Sequence, residues 1–152
     1  MPIPKAVKIT KQGVEFVSQV DRCQYLITEL TRAALKDVGK LVRRRGLDKM
    51  RLLQGLRRGK RPPHALQYWV RRRETDLLVG LKHDTWYGAD QELGTRNQPK
   101  RGILRSSVFD NIDDIRRIEG QYLSAIEDEN RALGLIDEAE EVGDDEQSVS
   151  GP

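Results

Sequence analysis

Residues 65–81 read ALQYWVRRRETDLLVGL, and this stretch predicts a β-hairpin. Aromatic and β-branched residues at 68–70 favour a strand over 65–73. Glu74-Thr75-Asp76 is polar enough to turn the chain, although it lacks the usual glycine, and 77–81 then forms the returning strand. The hairpin predicts that a small antiparallel sheet is one layer of the fold.

The segments before the hairpin predict two short strands and a long helix. Residues 7–10 alternate apolar and polar side chains, as a strand does, and 14–17 is a second strand or a lead-in. A helix is expected over 19–45, with Gly46 as its stop and a short second helix over 49–53. Its apolar stripe recurs at steps of four and three: Cys23, Ile27, Leu30, Ala34, Val38 and Leu41.

The segments after the hairpin predict a short helix over 87–93, ended by Gly94, and an irregular stretch over 95–107. Asn111 is expected to cap a second long helix. The apolar stripe of that helix is Ile115, Ile118, Tyr122 and Ile126.

The predicted fold class is α+β, with a small antiparallel sheet and its β-hairpin packed by two long helices and a short helix. Residues 1–136 are expected to form a single domain. Residues 137–152 are acidic and poor in large apolar side chains, which predicts a disordered acidic tail.

The formal net charge of +3 conceals a strong asymmetry along the 152 residues. Residues 1–105 hold 24 Lys+Arg against 10 Asp+Glu, a balance of +14, while 106–152 hold 3 against 14, a balance of −11. Such polarity favours an electrostatic role, either nucleic-acid contact or head-to-tail self-association. No apolar run approaches the roughly 20 residues of a membrane span, and the N-terminus lacks the apolar stretch of a signal peptide, so a membrane-free, cytoplasmic protein is expected.

Residues with catalytic chemistry are sparse, and the sequence predicts no enzyme, no cofactor and no metal. His64 and His83 lack neighbours at ligand spacing, and Cys23, on its helical stripe, is expected to be a small core residue. Residues 55–61, GLRRGKR, fail the phosphate-loop pattern in spacing and context. Asp113-Asp114 would suit a metal-dependent nuclease, but helix capping explains the pair better.

Basic residues form three clusters that could neutralise phosphates or face an acidic protein partner. No motif for reading bases accompanies them, so the DNA-binding alternative is a non-specific one. The clusters are Arg43, Arg44 and Arg45; Arg57, Arg58, Lys60 and Arg61; and Arg71, Arg72 and Arg73.

One stretch resembles a known family. Tyr87-Gly88-Ala89-Asp90-Gln91-Glu92-Leu93-Gly94-Thr95 is similar to the short helix of the head–tail joining, or tail-completion, proteins of the necks of tailed bacteriophages. That helix ends in Glu-aromatic/Leu-Gly-Thr and precedes a basic, proline-bearing loop and a Pro-Phe-Leu-Arg-like segment. Here Gln98-Pro99-Lys100-Arg101-Gly102-Ile103-Leu104-Arg105 fills that slot, whereas Leu53-Gln54-Gly55-Leu56-Arg57 replaces the family's Pro-Val-Asp-Thr-Gly-like segment.

The resemblance implies a structural protein of the virion without catalytic activity. Such a protein would be assembled in the host bacterial cytoplasm and would form a ring at the head–tail interface, six-fold rather than twelve-fold. Its partners would be itself and the connector and tail-tube proteins, with non-specific contact to the DNA that passes through the lumen. The distinction between tail terminator and neck adaptor stays open.

The candidate interface follows the resembling stretch. Glu92 is expected to accept hydrogen bonds from loop amides or to pair with an arginine, and Gly94 to adopt a positive φ. Trp86 and Tyr87 are expected to pack the short helix on the sheet. The candidate residues are Trp86, Tyr87, Glu92, Gly94, Thr95, Arg96, Lys100, Arg101, Leu104 and Arg105.

Overall fold

A computed structural model describes residues 3–52, 66–82 and 86–147, except for the side chains of 86–88, 91 and 141–147. The strands are β1 (Val7–Lys11), β2 (Val14–Ser18), β3 (Leu66–Arg71) and β4 (Asp76–Leu81). The helices are α1 (Val20–Leu52), α2 (Trp86–Leu93), α3 (Ile103–Phe109), α4 (Ile112–Ser124), a 3₁₀ turn (Ala125–Glu127) and α5 (Glu129–Gln147). The predicted α+β class is confirmed, with two separate two-stranded antiparallel sheets.

The chain divides into two compact units, and the single domain expected over 1–136 stays a prediction. Unit 1 comprises Met1–Ala34 and Gly120–Pro152, and unit 2 comprises Leu35–Glu119. Helices α1 and α4 contribute residues to both units.

Helix α1 does not stop at Gly46, as predicted, but continues to Leu52 and is about 50 Å long at 1.5 Å per residue. Gly46 is buried within it, and a Cβ added there would lie 2.5 Å from Cδ2 of Leu66. The glycine therefore permits close packing instead of ending the helix. The separate helix expected over 49–53 is the last turn of α1, with residue 53 outside the described part of the chain.

The predicted hairpin is confirmed as β3 and β4, with a turn over residues 72–75. The first strand ends at Arg71, two residues earlier than expected, because Arg71 pairs with Asp76 in the register and binds its carboxylate. Thr75 takes a positive φ of 50°, so it occupies a conformation that glycine more often supplies.

The core of unit 2 lies between the second half of α1, the hairpin and α3. Met50, Leu66 and Ile103 are buried together. Gly39 and Gly46 are seven residues apart and so share one face of α1. A Cβ on Gly39 would lie 2.5 Å from the Tyr68 ring, which shows that the hairpin packs closely on this face.

Unit 1 contains the β1–β2 hairpin, the first half of α1, and α5. The two expected short strands are confirmed, and Arg22 of α1 forms an ion pair with Glu129 of α5. The expected apolar stripe of α1 is only partly buried: Leu30 is buried, but Cys23 is exposed, so the prediction of a core cysteine is wrong.

The C-terminal segment is helical as far as Gln147, whereas a disordered acidic tail was expected from residue 137. Helix α5 runs to Gln147, and Ile136 and Ala139 on it are buried. The acidic side chains at 137, 138 and 140 are exposed. The helix therefore buries Ile136 and Ala139 and exposes the charges at 137, 138 and 140 to water; residues 148–152 lie outside the described part of the chain.

Three further expectations need correction. Residues 103–107, expected to be irregular, begin helix α3. Asn111 precedes α4 as expected, but its side-chain amide donates to the carbonyl of Ser107 at 2.9 Å. Ile126 is exposed, because the 3₁₀ turn breaks the helical register and buries Ala125 instead.

Candidate functional site

The candidate site is the cationic loop, defined here as residues 94–102 between α2 and α3 of unit 2. Helix α2 ends where the N–H of Gly94 donates to the carbonyl of Asp90 at 2.8 Å. Gly94 has a φ of 81°, the left-handed conformation predicted for it, which costs glycine little and other residues more.

Gly94 is also required because the backbone of Lys100 leaves no room for a side chain at this position. A Cβ there would lie 2.8 Å from the backbone nitrogen of Lys100 and 3.0 Å from its Cα. Both neighbours are backbone atoms, so no side-chain rotation could relieve the clash. The two ends of the loop therefore approach each other at a position that only glycine fits.

The tip of the loop is a tight turn closed by two backbone hydrogen bonds. Thr95 N–H donates to the carbonyl of Gln98 at 2.9 Å, and Gln98 N–H donates back to Thr95 at 3.2 Å. Arg96 and Asn97 occupy the turn and are exposed. The hydrogen bonds fix the backbone of the turn, while the Arg96 side chain stays in solvent.

Three oxygen atoms of Glu92 accept hydrogen bonds at the point where the loop ends and α3 begins. Its carbonyl accepts Gly102 N–H at 3.3 Å, and its carboxylate accepts Leu104 N–H at 3.0 Å and Arg105 N–H at 3.2 Å. The first N–H groups of a helix have no partner within it, and an anion there is favoured by the helix dipole. Since Gly102 is the N-cap and has no side chain, Glu92 supplies the cap from α2. The expectation that Glu92 would bind loop amides is confirmed.

Helix α3 anchors the loop to the core of unit 2. Ile103 and Ser107 are buried, and the Ser107 hydroxyl donates to the carbonyl of Ile103 at 2.6 Å. Leu104 packs against the same core. Arg105 is exposed, with its guanidinium carbon 5.4 Å from the centre of the Phe109 ring.

The structure separates the predicted interface residues into three groups. Five are exposed around the cationic loop: Thr95, Arg96, Lys100, Arg101 and Arg105. Glu92, Gly94 and Leu104 are half-buried and hold the loop in place. The side chains of Trp86 and Tyr87 lie outside the description, so their predicted packing on the sheet is untested.

Three arginines of the predicted basic clusters bind groups of their own chain. Arg43 donates to the carbonyl of Leu66 at 3.1 Å, and Arg45 lies 3.3 Å from the Asp114 carboxylate. Arg71 binds Asp76 and Glu74. The hydrogen bond from Arg71 lowers the pKa of Asp76 below its ordinary value.

The other cluster residues divide between exposed and undescribed positions. Arg44, Arg72 and Arg73 are exposed. Arg57, Arg58, Lys60 and Arg61 fall outside the described residues.

The carboxylates considered for a nuclease contact arginines. Asp113 lies 3.7 Å from Arg116, and Asp114 lies 3.7 Å from Arg117 in addition to its contact with Arg45. Within 3–52, 66–82 and 86–147, no group of three or more His, Cys, Asp or Glu side chains could hold a metal ion. His64, His83 and residues 55–61 lie outside this part of the chain.

Sequence reasoning missed a second surface, on the β1–β2 hairpin. Val7, Ile9, Val14 and Phe16 are all exposed there. The alternation of apolar and polar residues that predicted the strand also placed these residues on one face. The signal was therefore available, but nothing in the sequence indicated that the face would be left uncovered.

Comparison with known proteins identifies no relative of this chain. No family model, no curated protein and no solved structure matches this chain. Among the helices in the described ranges, none has the length and apolar character needed to cross a lipid bilayer.

Proposed function

We propose that this chain is a structural protein of the neck of a tailed bacteriophage, where it forms a ring that joins the DNA-filled head to the tail tube. The observation that carries the proposal is the capping of α3 by Glu92 across the cationic loop. The loop lies in the stretch that resembles the joining proteins. Three of the matching residues, Glu92, Gly94 and Thr95, have a structural role in shaping the loop.

The Glu-Leu-Gly-Thr element gives the loop its shape. Glu92 binds the amides of α3, Gly94 accommodates Lys100, and Thr95 closes the tip. A loop fixed in this way loses little conformational entropy when it binds, which favours docking to a neighbouring subunit.

The charge of the loop supports a docking role. Arg96, Lys100 and Arg101 are exposed on a backbone that is held by hydrogen bonds at both ends. In a closed ring, each subunit presents one surface to the next and receives a different one. Cationic side chains on a fixed loop suit an acidic surface on the next subunit, the connector or the tail tube.

The proposal assigns the ring six-fold symmetry, which the resemblance implies, and no enzymatic activity. DNA passing through the lumen would meet some of the arginines. Non-specific DNA binding by the isolated protein is the weaker alternative, since Arg43, Arg45 and Arg71 bind groups of their own chain.

Electron microscopy of particles made when this gene carries a nonsense codon tests the proposal. DNA-filled heads with separate tails would establish a joining role, and abnormally long tails would indicate a terminator. Normally joined virions would contradict the neck assignment and favour DNA binding, which would then appear as affinity that falls steeply with salt.

Complementation addresses the loop itself. A plasmid encoding the wild-type chain should restore joined virions, whereas one encoding Gly94→Val should restore few. Gly13→Ala serves as the control, because Gly13 also has a positive φ but a Cβ there meets nothing within 4 Å. Equal rescue by both variants would contradict a special backbone role of Gly94 in joining.

A further inference from the structure

The cationic loop and the first residues of α3 carry charges of one sign. Residues 94–105 hold four Lys+Arg and no Asp or Glu. Arg96, Lys100 and Arg101 are exposed, and within the described part of the chain none of the three forms an ion pair. Because hydrogen bonds hold the backbone at the tip of the loop and at the start of α3, these cations project from a fixed backbone.

The second half of α5 carries only the opposite charge. Residues 137–147 hold seven Asp+Glu and no Lys or Arg. Asp137, Glu138 and Glu140 are exposed, and none of them pairs with a cation of the described residues. These three residues are called the acidic surface of α5 below.

The charges of α5 are unfavourable for the helix that carries them. Like charges three or four residues apart repel one another on a helix, and Asp137 and Glu140 are three apart. The C-terminus of a helix favours cations, but the last turn of α5 has no basic residue and the sequence places acidic residues at 144–146. A cationic partner would offset both effects. A local rule broken in this way is typical of a functional surface.

The signs of the charges identify the occupant of the cationic loop as a second copy of the chain. Neither surface is neutralised by an ion pair among the described residues, and every copy brings the complementary surface in equal number. A contact between the loop of one copy and the acidic surface of another joins opposite charges. A contact of loop with loop, or of α5 with α5, would join like charges.

We propose that the cationic loop of one copy binds the acidic surface of α5 on the next copy. The contact is head-to-tail, so each copy uses both surfaces and the assembly can close into a ring. The inference rests on the proposed function for the ring and deepens it by naming the contact between its subunits.

Charge reversal in the purified full-length protein tests the contact. The loop variant is Arg96→Glu/Lys100→Glu/Arg101→Glu, and the α5 variant is Asp137→Lys/Glu138→Lys/Glu140→Lys. A double-reversal chain carries both sets of substitutions. The control, Lys5→Glu/Lys11→Glu/Arg131→Glu, changes the net charge by the same amount as the loop variant, at exposed positions outside both surfaces.

Molar mass is measured by light scattering after size exclusion at low and at high salt, and far-UV circular dichroism establishes that each variant is folded. If a reversed variant loses the native spectrum, both are replaced by their neutral counterparts, with Gln in place of Arg, Lys and Glu and Asn in place of Asp. An equal mixture of the neutral variants should give a dimer and nothing larger, since only one contact stays intact.

The wild-type protein and the control should form oligomers that dissociate in high salt, because salt screens exposed charges. The loop variant and the α5 variant should each be monomeric alone. An equal mixture of the two should again form oligomers, because each reversed surface meets a surface of opposite charge on the other variant. The double-reversal chain should assemble by itself for the same reason.

Three results would each overturn the inference: a monomeric wild-type protein, a loop variant that assembles normally, and a mixture of reversed variants that stays monomeric. A monomeric wild-type protein that binds duplex DNA at low salt, with the affinity lost in the loop variant, would assign the loop to nucleic acid instead.

The outcomes are separable from those that test the proposed function, because the mixing experiment uses purified protein and needs no virion. Normal virions without the gene product would refute the neck role and leave the contact standing. A mixture that stays monomeric would refute the contact and leave the neck role standing.

Discussion

The carboxylate of Glu92 accepts the backbone N–H of Leu104 at 3.0 Å, so a side chain on one helix caps another helix twelve residues later. The cap joins the two ends of the cationic loop. It also explains why Gly102, which has a φ of 57° and no side chain to offer, can begin helix α3.

Replacing Glu92 by alanine should lower the free energy of unfolding by about 1–2 kcal/mol, the usual cost of a lost cap. Glu92→Gln should lower the free energy of unfolding by less than Glu92→Ala does, because its amide oxygen can still accept one of the two N–H groups. Its NH₂ group cannot accept the other, so part of the loss remains. Urea denaturation measures both. Glu119→Ala, at an exposed position of α4, is the control and should change stability little; an equal loss there would show that Glu92 has no special role.

Gly94→Ala should destabilise the protein more than Gly102→Ala does. Both positions have a positive φ, which costs an alanine about 1–2 kcal/mol. At Gly94 the added Cβ also meets the backbone of Lys100, whereas at Gly102 the nearest atom is the end of the Lys100 side chain at 4.0 Å. Denaturation midpoints of the two variants give the comparison, and identical midpoints would mean that the loop moves apart to admit the new methyl group.

The sequence predicted features that depend on local pattern. The strands, the hairpin and the end of α2 at Gly94 follow from alternation and turn residues, and all are found in the structure. The contact of Glu92 with loop amides could be anticipated because a carboxylate beside a glycine-containing loop has few other acceptor roles.

Features set by tertiary packing could not be read from local pattern. A glycine after a basic helical segment gives the same sequence pattern whether it ends the helix or allows another side chain to pack closely against it. At Gly46 the close packing of Leu66 shows that the second case holds. Helix α3 escaped prediction because its cap comes from Glu92, outside the segment itself. The part of α5 beyond residue 137 escaped because its buried residue there, among the described ones, is an alanine, Ala139, and not one of the large apolar residues that mark most helices.

Gly46→Ala should destabilise the protein even though alanine favours a helix over glycine by about 1 kcal/mol. The new methyl group would lie 2.5 Å from the end of the Leu66 side chain, which is fully buried, so a shift of that side chain would disturb the core. Overpacking a core costs about 1–3 kcal/mol, which exceeds the gain in helix propensity. Gly134→Ala in α5, where a Cβ meets nothing within 4 Å, should instead stabilise the protein. A stabilising Gly46→Ala would contradict the close packing of α1 on the hairpin.

The ion pair between Arg71 and Asp76 should contribute to stability in a pH-dependent way. The pKa of Asp76 is lowered in the folded state by the hydrogen bond from Arg71. Its stabilising contribution is therefore complete above the ordinary aspartate pKa of about 3.9 and is lost as the pH falls through the lower, folded value. The stability difference between wild type and Asp76→Asn should be small at neutral pH, because the pair is exposed, and should vanish in acid. Thermal unfolding across this pH range checks the prediction, and a difference that grows in acid would contradict it.

Ala139→Asp should destabilise unit 1 strongly. Ala139 is 3% exposed on α5, so the new carboxylate would be buried without a partner among small apolar groups, at a cost of about 2 kcal/mol or more. Gly134→Asp places the same side chain on the exposed face of the same helix and should leave stability unchanged or slightly raised. Urea denaturation of the two variants distinguishes a packed helix from an acidic tail, because a disordered segment would tolerate both substitutions equally. If Ala139→Asp left the stability unchanged, the result would favour the disordered tail that the acidic composition predicted and contradict the packing of α5 in the core of unit 1.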